Sequence, residues 1–443
     1  MKPRPVAPKI KDYVETPQVD IFKLLAAAQD EMNRSDRYLS WEELRYKKAP
    51  AGLKNDEWWI GLKILRMNAR RVTPATDKKG EPFTFSYTNM MLDLAHRIDL
   101  QAGGSVQAES SDLLSEAGRN KYLLNSVIEE SIMSSMLEGA VVTRSEAKAL
   151  IRSNRKPMNE HECMVMNNYR TMQQILAWKK EPFSVNHILE LHRMMTVGTI
   201  TDSTKVGTLR TADDDVRVET AIEGDLVHMP PPAEELPKRL QRLCDFANEK
   251  ESSYFLHPVV RAIILHFWLA YDHPFVDGNG RTARALFYWM MLKEGFWAFE
   301  YISISREIFA HSKRYYDAFL HTEEDDNDLN YFICDQLKTI TESIKHLYEY
   351  AERKRQEQQS LLANLKTGVV LNIRQRLFVT HILKNPGQST NAAAYCDEYQ
   401  VTKQTALNDL AELVKLGILG VTKVQRAFVY YPLPDLEQRL TTL

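Results

Sequence analysis

One run of the sequence limits the fold more than any other. From Val259 to about Asp272, apolar side chains surround the whole circumference of a predicted helix. Such a helix has no face that suits water, so it is a buried one. Its longest apolar stretch, near Ala262–Tyr271, contains His266 and is far shorter than the roughly 20 residues needed to cross a bilayer. We therefore predict a buried helix in a mostly α fold, with no membrane association.

Length and composition set the broad class of protein. A chain of 443 residues is too long for one compact core, which predicts two or three domains. Hydrophobic residues make up 44% and charged residues 26%, as in ordinary soluble globular proteins. The formal net charge of -2 provides no overall attraction to nucleic acid or to an anionic membrane. Any basic surface must therefore be local.

The N-terminus and the cysteines indicate the compartment. The first ten residues are basic and contain proline, with no apolar segment behind them, so they are not a secretory signal. The cysteines are far apart and form no CxxC pair, which argues against a disulfide framework or a zinc site. We expect a cytoplasmic protein. The cysteines are Cys163, Cys244, Cys334 and Cys396.

Helix and turn signals divide the chain into four parts. Residues 1–110 are predicted to form an N-terminal helical region without a chemical signature. Residues 111–350 form the predicted main core, with a helix at about 120–139 and a small β-hairpin near Val216–Val227. Residues 351–368 are a linker or an extension of the long helix that ends near Leu365. Residues 369–443 form a compact module.

This last module has the layout of a winged helix-turn-helix, three helices followed by a β-ribbon. Thr402 is the expected N-cap of the recognition helix and Gly417 its expected stop. Some winged helices bind DNA, and others serve as protein-interaction or dimerisation modules. DNA binding and a homodimer both stay open. Basic residues for phosphates would be Arg374, Arg376, Lys403, Lys423 and Arg426, and residues for base edges Gln404, Thr405 and Asn408.

The loop from His273 to Arg284, HPFVDGNGRTAR, joins two predicted buried helices. Read as a calcium loop, it would place Phe275 and Leu286 at ligand positions, and neither side chain can ligate calcium. A dinucleotide-binding turn needs a preceding strand, and a phosphate-binding P-loop needs Lys followed by Ser or Thr. Neither requirement is met. A simple connecting turn is the plainest alternative, but it leaves the cluster of polar residues unexplained.

The same residues are consistent with an anion site. Gly278 and Gly280 let the backbone turn sharply and approach a ligand closely. Asn279 and Gly280 begin a helix, where free N–H groups and the helix dipole favour phosphate. Arg281 and Arg284 would add two positive charges at the rim, about one helical turn apart.

Two further residues suggest chemistry at this site. The carboxylate of Asp277 suits a Mg²⁺ ion that bridges phosphates, and His273 can act as a general base near neutral pH. With them, the loop resembles the HPFx(D/E)GNGRxxR signature of the Fic domain family, and every fixed position is matched. The family often has Gly where this chain has Ala283. The resemblance extends over about residues 111–350, including Gly207–Arg210 and His257-Pro258.

The resemblance implies a Fic-type helical core, with the hairpin as a flap that aligns a target protein by strand addition. It implies transfer of AMP from ATP to a Tyr, Thr or Ser hydroxyl of a protein, in some cases the enzyme itself. His273 would deprotonate the hydroxyl, Asp277 would hold Mg²⁺ and Arg284 would hold the γ-phosphate. The implied nucleotide-binding residues are Gly278, Asn279, Gly280, Arg281 and Arg284, of which Asn279, Gly280 and Arg281 would cradle the α- and β-phosphates.

A second segment resembles the inhibitory motif of the same family, (S/T)xxxE(G/N). Here it reads Ser134 to Gly139, with Glu138 as the acidic residue. A carboxylate at this place would pair with Arg284 and remove the cation that orients the γ-phosphate. The plainer alternative is a solvated helix end. A role of Glu138 in removing AMP also stays open.

Two rival functions remain at this point. One is a DNA-binding regulator that uses the Fic-like core as a nucleotide sensor, and the other is a transferase of a different group, such as UMP, GMP or phosphocholine. The intact His273 favours a transferase over a sensor, because a sensor does not need a base.

Overall fold

The computed structural model describes residues 5–14, 20–50, 52–103, 116–219, 226–248, 254–364, 371–384, 388–424, 427–434 and 436. Helices dominate these residues, and their strands form three separate two-stranded antiparallel sheets. The predicted mostly α fold is confirmed. Within the described ranges, we find no helix with the length and apolar character of a membrane span.

The helices are α1 Ile10–Val14, α2 Ile21–Met32, α3 Trp41–Leu44, α4 Asn55–Ala69, α5 Asn89–Ala102, α6 Glu116–Leu137, α7 Arg144–Ser153, α8 Glu160–Trp178, α9 Val185–Thr196, α10 Leu236–Ala247, α11 Pro258–Asp272, α12 Asn279–Lys293, α13 Ile304–Ala310, α14 Ser312–Glu324, α15 Asn330–Asn364, α16 Ile373–Lys384, α17 Ala392–Tyr399 and α18 Lys403–Lys415. The strands are β1 Arg71–Thr76, β2 Pro82–Phe85, β3 Val218–Glu219, β4 Leu226–His228, β5 Leu419–Val424 and β6 Ala427–Pro432.

Helix α11 is the centre of the largest hydrophobic core, as its apolar circumference predicts. Pro258 stands in its first turn, where a missing N–H costs nothing, and His257 caps it by accepting a bond from the Val259 N–H. Helix α12 is buried over nearly its whole length and packs beside α11. The loop between them is therefore held at both ends by buried helices.

The sequence predicted a helical region for residues 1–110, but this region is not entirely helical. A hairpin, β1–β2, crosses it and turns at Gly80, whose φ is +86°. Phe83 and Phe85 of β2 are buried, and Phe83 packs edge-on against Phe267 and Tyr271 of α11. The prediction was wrong here because Gly and Pro were interpreted as breaks between helices. In the structure, these residues lie at the ends of two short strands.

The predicted hairpin between Val216 and Val227 is present as β3 and β4, which pair in antiparallel register with Val218 opposite His228. Its turn, residues 220–225, lies outside the described residues. His228 fastens the end of β4 to the core, because its ring contacts the Tyr271 carbonyl at 2.8 Å and the Glu323 carboxylate at 2.9 Å.

The C-terminal module has the predicted order of three helices and a β-ribbon, α16 to α18 followed by β5–β6. Thr402 is the N-cap of α18, and Gly417 adopts the left-handed conformation that ends it, with φ +70°. The assignment of this module as a winged helix stays a prediction. Helix α15 continues to Asn364, so most of the predicted linker 351–368 is helix.

Two of the basic residues that the sequence offered for DNA phosphates are engaged within this module. Arg374 donates from Nε to the buried carboxylate of Asp409 at 2.6 Å, and Arg376 donates to the Leu371 carbonyl at 2.7 Å. Both guanidinium groups thus stabilise the fold of the module.

A candidate active site at the loop between two buried helices

His273 follows the last residue of α11 in a left-handed backbone conformation, φ 45° and ψ 56°. Its ring atom Nδ1 lies 3.1 Å from the Ala270 carbonyl. Because a carbonyl only accepts, Nδ1 carries the proton and the lone pair of the neutral ring is on Nε2. Burial lowers the pKa of His273 to about 4, although its bond to Ala270 acts in the opposite direction. The imidazole is therefore neutral at pH 7, as a general base must be.

Arg210 holds this unusual backbone in place. Its Nε donates to the His273 carbonyl at 2.8 Å, and its backbone N–H donates to the Pro274 carbonyl at 2.9 Å. The same guanidinium donates to the Pro231 carbonyl, just beyond the hairpin. One buried arginine thus links the hairpin to the loop that carries the histidine. Arg210 is part of the segment that resembles the family, but the sequence alone predicts no role for it.

His192 of α9 holds the middle of the loop and was missed by the sequence analysis. Its ring stacks on Phe275 with centroids 3.7 Å apart and 1° between the planes. The Gly207 N–H donates to Nδ1 at 3.0 Å, so Nε2 carries the proton and donates to the Asp277 carbonyl at 2.9 Å. Burial lowers the pKa of His192 to about 4, which keeps this neutral arrangement. A single helical histidine gives no sequence signal of such a role.

The turn into α12 requires glycine at position 278. Gly278 has φ +80°, and a Cβ there would lie 2.6 Å from Cγ2 of Thr196. Asn279 closes the turn from within: its side chain accepts from the Phe275 N–H at 3.0 Å and donates to the Phe275 carbonyl at 2.9 Å. The first N–H groups of α12 have no acceptor within the helix, which is a geometry that suits an anionic group.

The side chain of Arg281 lies deeper in the protein than the sequence predicted. The sequence placed it at the rim of the site as a phosphate-binding cation, but its side chain is fully buried. One nitrogen donates to the Met195 carbonyl at 3.0 Å, and another to Oδ2 of Asp277 at 3.0 Å. The side chain is long enough to reach both the loop and the end of α9, so it links α12 to α9. In this position Arg281 supports the loop, and its role in holding phosphate stays a prediction.

Arg284 and the end of α6 meet over the start of α12. Arg284 donates to the Ser134 Oγ at 3.0 Å, to the Ser134 carbonyl at 2.9 Å and to Oε1 of Glu138 at 2.9 Å. A Cβ at Gly280 would overlap that same carboxylate oxygen, so the Glu138 carboxylate lies directly against the start of α12. Gly139 ends the segment with φ +90°. The two segments singled out in the sequence thus form one site, although Glu138 and Arg284 are 146 residues apart.

Asp277 is the carboxylate that could bind a metal ion here. Its side chain is half exposed, and only Oδ2 is engaged, by Arg281. A half-exposed carboxylate beside a site for phosphates fits one ligand position of Mg²⁺, which usually keeps several waters and phosphate oxygens as its other ligands.

Comparisons with known proteins relate the part of the chain that carries this loop to one family. Residues 182–291 match the model of the Fic/DOC family. The chain is 29% identical over 236 residues to the protein adenylyltransferase Fic of Drosophila willistoni, covering 52% of this chain and 43% of the fly protein. It is 29% identical over 167 residues to the protein adenylyltransferase fic-1 of Caenorhabditis elegans, covering 36% of this chain and 30% of the worm protein. The chain thus spans less than half the length of these curated relatives.

A solved structure is similar over most of the chain. A Fic family protein from Desulfovibrio desulfuricans G20 superposes with a TM-score of 0.51 at 18% identity, covering 79% of this chain and 98% of that chain. The likeness shows the fold. Fold and loop together define a helical protein with a glycine-rich loop between two buried helices. Residues 182–291 thus form a Fic domain, and the resemblance predicted from the loop is confirmed for this part of the chain.

Proposed function

We propose that this protein is an autoinhibited protein adenylyltransferase, which transfers AMP from ATP to a Tyr, Thr or Ser hydroxyl of a target protein or of itself. The observation that carries the proposal is the state of His273. Its Nδ1 proton is engaged by Ala270, its ring is neutral at pH 7, and its Nε2 is left as a base at the loop that leads into the anion site. The names of the curated relatives point to the same activity.

In the proposed reaction, His273 Nε2 accepts the proton of the target hydroxyl as the hydroxyl oxygen attacks the α-phosphorus of ATP. The bond between the α-phosphorus and the bridging oxygen breaks, and pyrophosphate leaves with that oxygen. The N–H groups at the start of α12, from Asn279 and Gly280, would bind the phosphates. Arg284 would bind the γ-phosphate once it is released from Glu138. Asp277 would hold Mg²⁺, which would neutralise phosphate charge.

Inhibition is proposed from the contact between Glu138 and Arg284. As long as the carboxylate lies over Gly280, it competes with phosphate for both the guanidinium and the helix start. ATP that binds beside it would lack its γ-phosphate anchor and would hold the α-phosphorus out of line with the attacking hydroxyl. Ser134 would assist by keeping the guanidinium in this position.

The proposal extends to the compartment and the partners of the protein. A cytoplasmic location rests on the four cysteines, which form no disulfide and no CxxC pair. DNA binding by the C-terminal module now rests on fewer residues, because Arg374 and Arg376 are engaged in its own fold. Lys403, Lys423, Gln404 and Asn408 remain exposed for a partner, whether DNA, a protein or a second copy of the chain.

Mass spectrometry tests the proposal. The Glu138→Gly variant is incubated with ATP and Mg²⁺, alone and with a cell lysate, and peptides are searched for an added adenosine monophosphate on hydroxyl side chains. We expect adducts in the variant, few in the wild type and none in Glu138→Gly/His273→Ala. Adducts of a different nucleotide in a mixed-nucleotide assay would favour transfer of another group, and equal labelling of the three proteins would contradict the mechanism.

A further inference from the structure

Glu130 lies on α6 two helical turns before Glu138, and Ser134 lies between them. Residues four apart lie on the same face of a helix, so these three side chains form one stripe. The stripe faces α12, where Arg284 and Tyr288 are also four apart. Glu130 contacts Tyr288, while Ser134 and Glu138 contact Arg284. The inhibitory contact is thus the last of a series of contacts between two adjacent helices.

The Glu130 carboxylate is buried, with 2% of the residue exposed. Oε2 accepts from the Tyr288 hydroxyl at 2.9 Å, from the Ser303 hydroxyl at 2.8 Å and from the Ser305 N–H at 3.1 Å. Oε1 accepts from the Ser305 hydroxyl. Four donors converge on one carboxylate, and they come from α12 and from the start of α13. Such a carboxylate is satisfied only when α6 is in this register.

The donors are themselves fixed. The Tyr288 hydroxyl accepts from the Ile304 N–H at 2.9 Å, and burial together with the nearby Glu130 raises the pKa of Tyr288 well above its usual value. The phenol therefore keeps the proton that it donates. A shift of α6 by one residue, about 1.5 Å along its axis, would break these bonds and leave a carboxylate without partners in the core. Glu130 thus resists movement of α6.

We propose that Glu130 is the positioning residue of the inhibitory helix: it fixes the register of α6 against α12 and α13, and so holds Glu138 on Arg284. It touches neither the nucleotide site nor His273, and it acts through Glu138. The inference rests on the proposed function, whose regulation it concerns. It predicts that α6 is released when the bonds of Glu130 are weakened, even with Glu138 intact.

The test measures the initial rate of AMP transfer by the full chain in Glu130→Gln, in Glu138→Gly and in the double variant. Glutamine keeps the shape but loses the charge, which weakens bonds worth roughly 1–2 kcal/mol in total. We expect Glu130→Gln to raise the rate by about 5- to 30-fold over wild type. In the Glu138→Gly background it should add less than about twofold, because the contact that it acts through is gone.

A matched control is the neighbouring Glu129→Gln. Glu129 lies on the same helix but pairs with Arg144 and Lys148, away from α12. The Glu129→Gln substitution removes the same charge as Glu130→Gln, and we expect it to leave the rate of AMP transfer at the wild-type value. If Glu130→Gln fails to fold, Ser305→Ala removes one donor only and should still raise the rate by about two- to fivefold.

A second readout does not depend on activity. Hydrogen exchange of the amides of residues 131–137 should become faster in Glu130→Gln and stay unchanged in Glu129→Gln. A wild-type rate with unchanged exchange in a folded Glu130→Gln would overturn the inference, and so would an equal rise in rate in both Glu138 backgrounds. If Glu138→Gly does not transfer AMP at all, the proposed function fails, whereas exchange still decides the role of Glu130.

Discussion

The Oε1 atom of Glu138 lies 2.9 Å from Nη2 of Arg284, and the same oxygen fills the space beside the Cα atom of Gly280. A carboxylate of the protein thus lies where the helix start and the guanidinium would otherwise attract a phosphate. This relationship connects the two sequence motifs and carries the first prediction.

Replacing Glu138 with Gly should raise the rate of AMP transfer by about 10- to 100-fold, since a bond between charged groups contributes roughly 1.5–3 kcal/mol. The measurement is the initial rate of labelling with saturating ATP. The matched control is Glu146→Gln, which removes a carboxylate that caps α7 through Thr143 and lies on another helix. A rate below that of the wild type would show that Glu138 assists transfer.

Transfer should stay constant from neutral pH down to about pH 5 and fall as the pH approaches the His273 pKa of about 4. The base must be unprotonated, so activity is present above its pKa and is lost below it. The measurement is kcat/KM against pH for Glu138→Gly, because this ratio reports the free enzyme. Circular dichroism at each pH checks the fold. A fall centred near pH 6.5 would contradict a buried, neutral His273.

Gly278→Ala should lower the free energy of unfolding by about 2–4 kcal/mol, because the new Cβ would meet Thr196 in a left-handed backbone. Denaturant unfolding measures it. The control is Gly80→Ala, which has φ +86° but no atom within 4 Å of the new Cβ, so only the backbone cost of about 1–2 kcal/mol is expected. Adding Thr196→Ser should recover part of the loss, and equal losses at the two glycines would contradict the steric account.

Asp277→Asn should raise the Mg²⁺ concentration for the half-maximal rate by about tenfold or more, because one anionic ligand is lost. Thermal unfolding should change little, since the amide oxygen of asparagine can still accept the hydrogen bond from Arg281. The measurement is a Mg²⁺ titration at fixed ATP in the Glu138→Gly background. An unchanged titration would remove Asp277 from the metal site.

The sequence predicted those parts of the molecule that local chemistry determines. The apolar circumference of α11, the N-cap Thr402 and the glycine-rich turn at Gly278 each have a local physical cause, and each lies where it was expected. The motif spacing also located Glu138 and Arg284, but it was the family resemblance that paired them.

Contacts between distant segments could not be predicted in this way. His192 stabilises the loop through a stacked ring and a carbonyl 85 residues away, and nothing near it in the sequence indicates this. Arg281 was expected at the rim of the site, because local spacing does not show that the end of α9 provides an acceptor for it. The β1–β2 hairpin forms because Phe83 packs on α11 and Phe85 lies in the same hydrophobic core, which is also a tertiary effect.

The most direct test of the account compares ATP labelled at the α-phosphate with ATP labelled at the γ-phosphate. Glu138→Gly is incubated with each, and protein-bound label is counted beside Glu138→Gly/His273→Ala. We predict that label from the α-position is retained, that label from the γ-position is not, and that the loss of His273 lowers α-labelling by about 10²- to 10⁴-fold. Retention of γ-label, or full α-labelling without His273, would contradict the account.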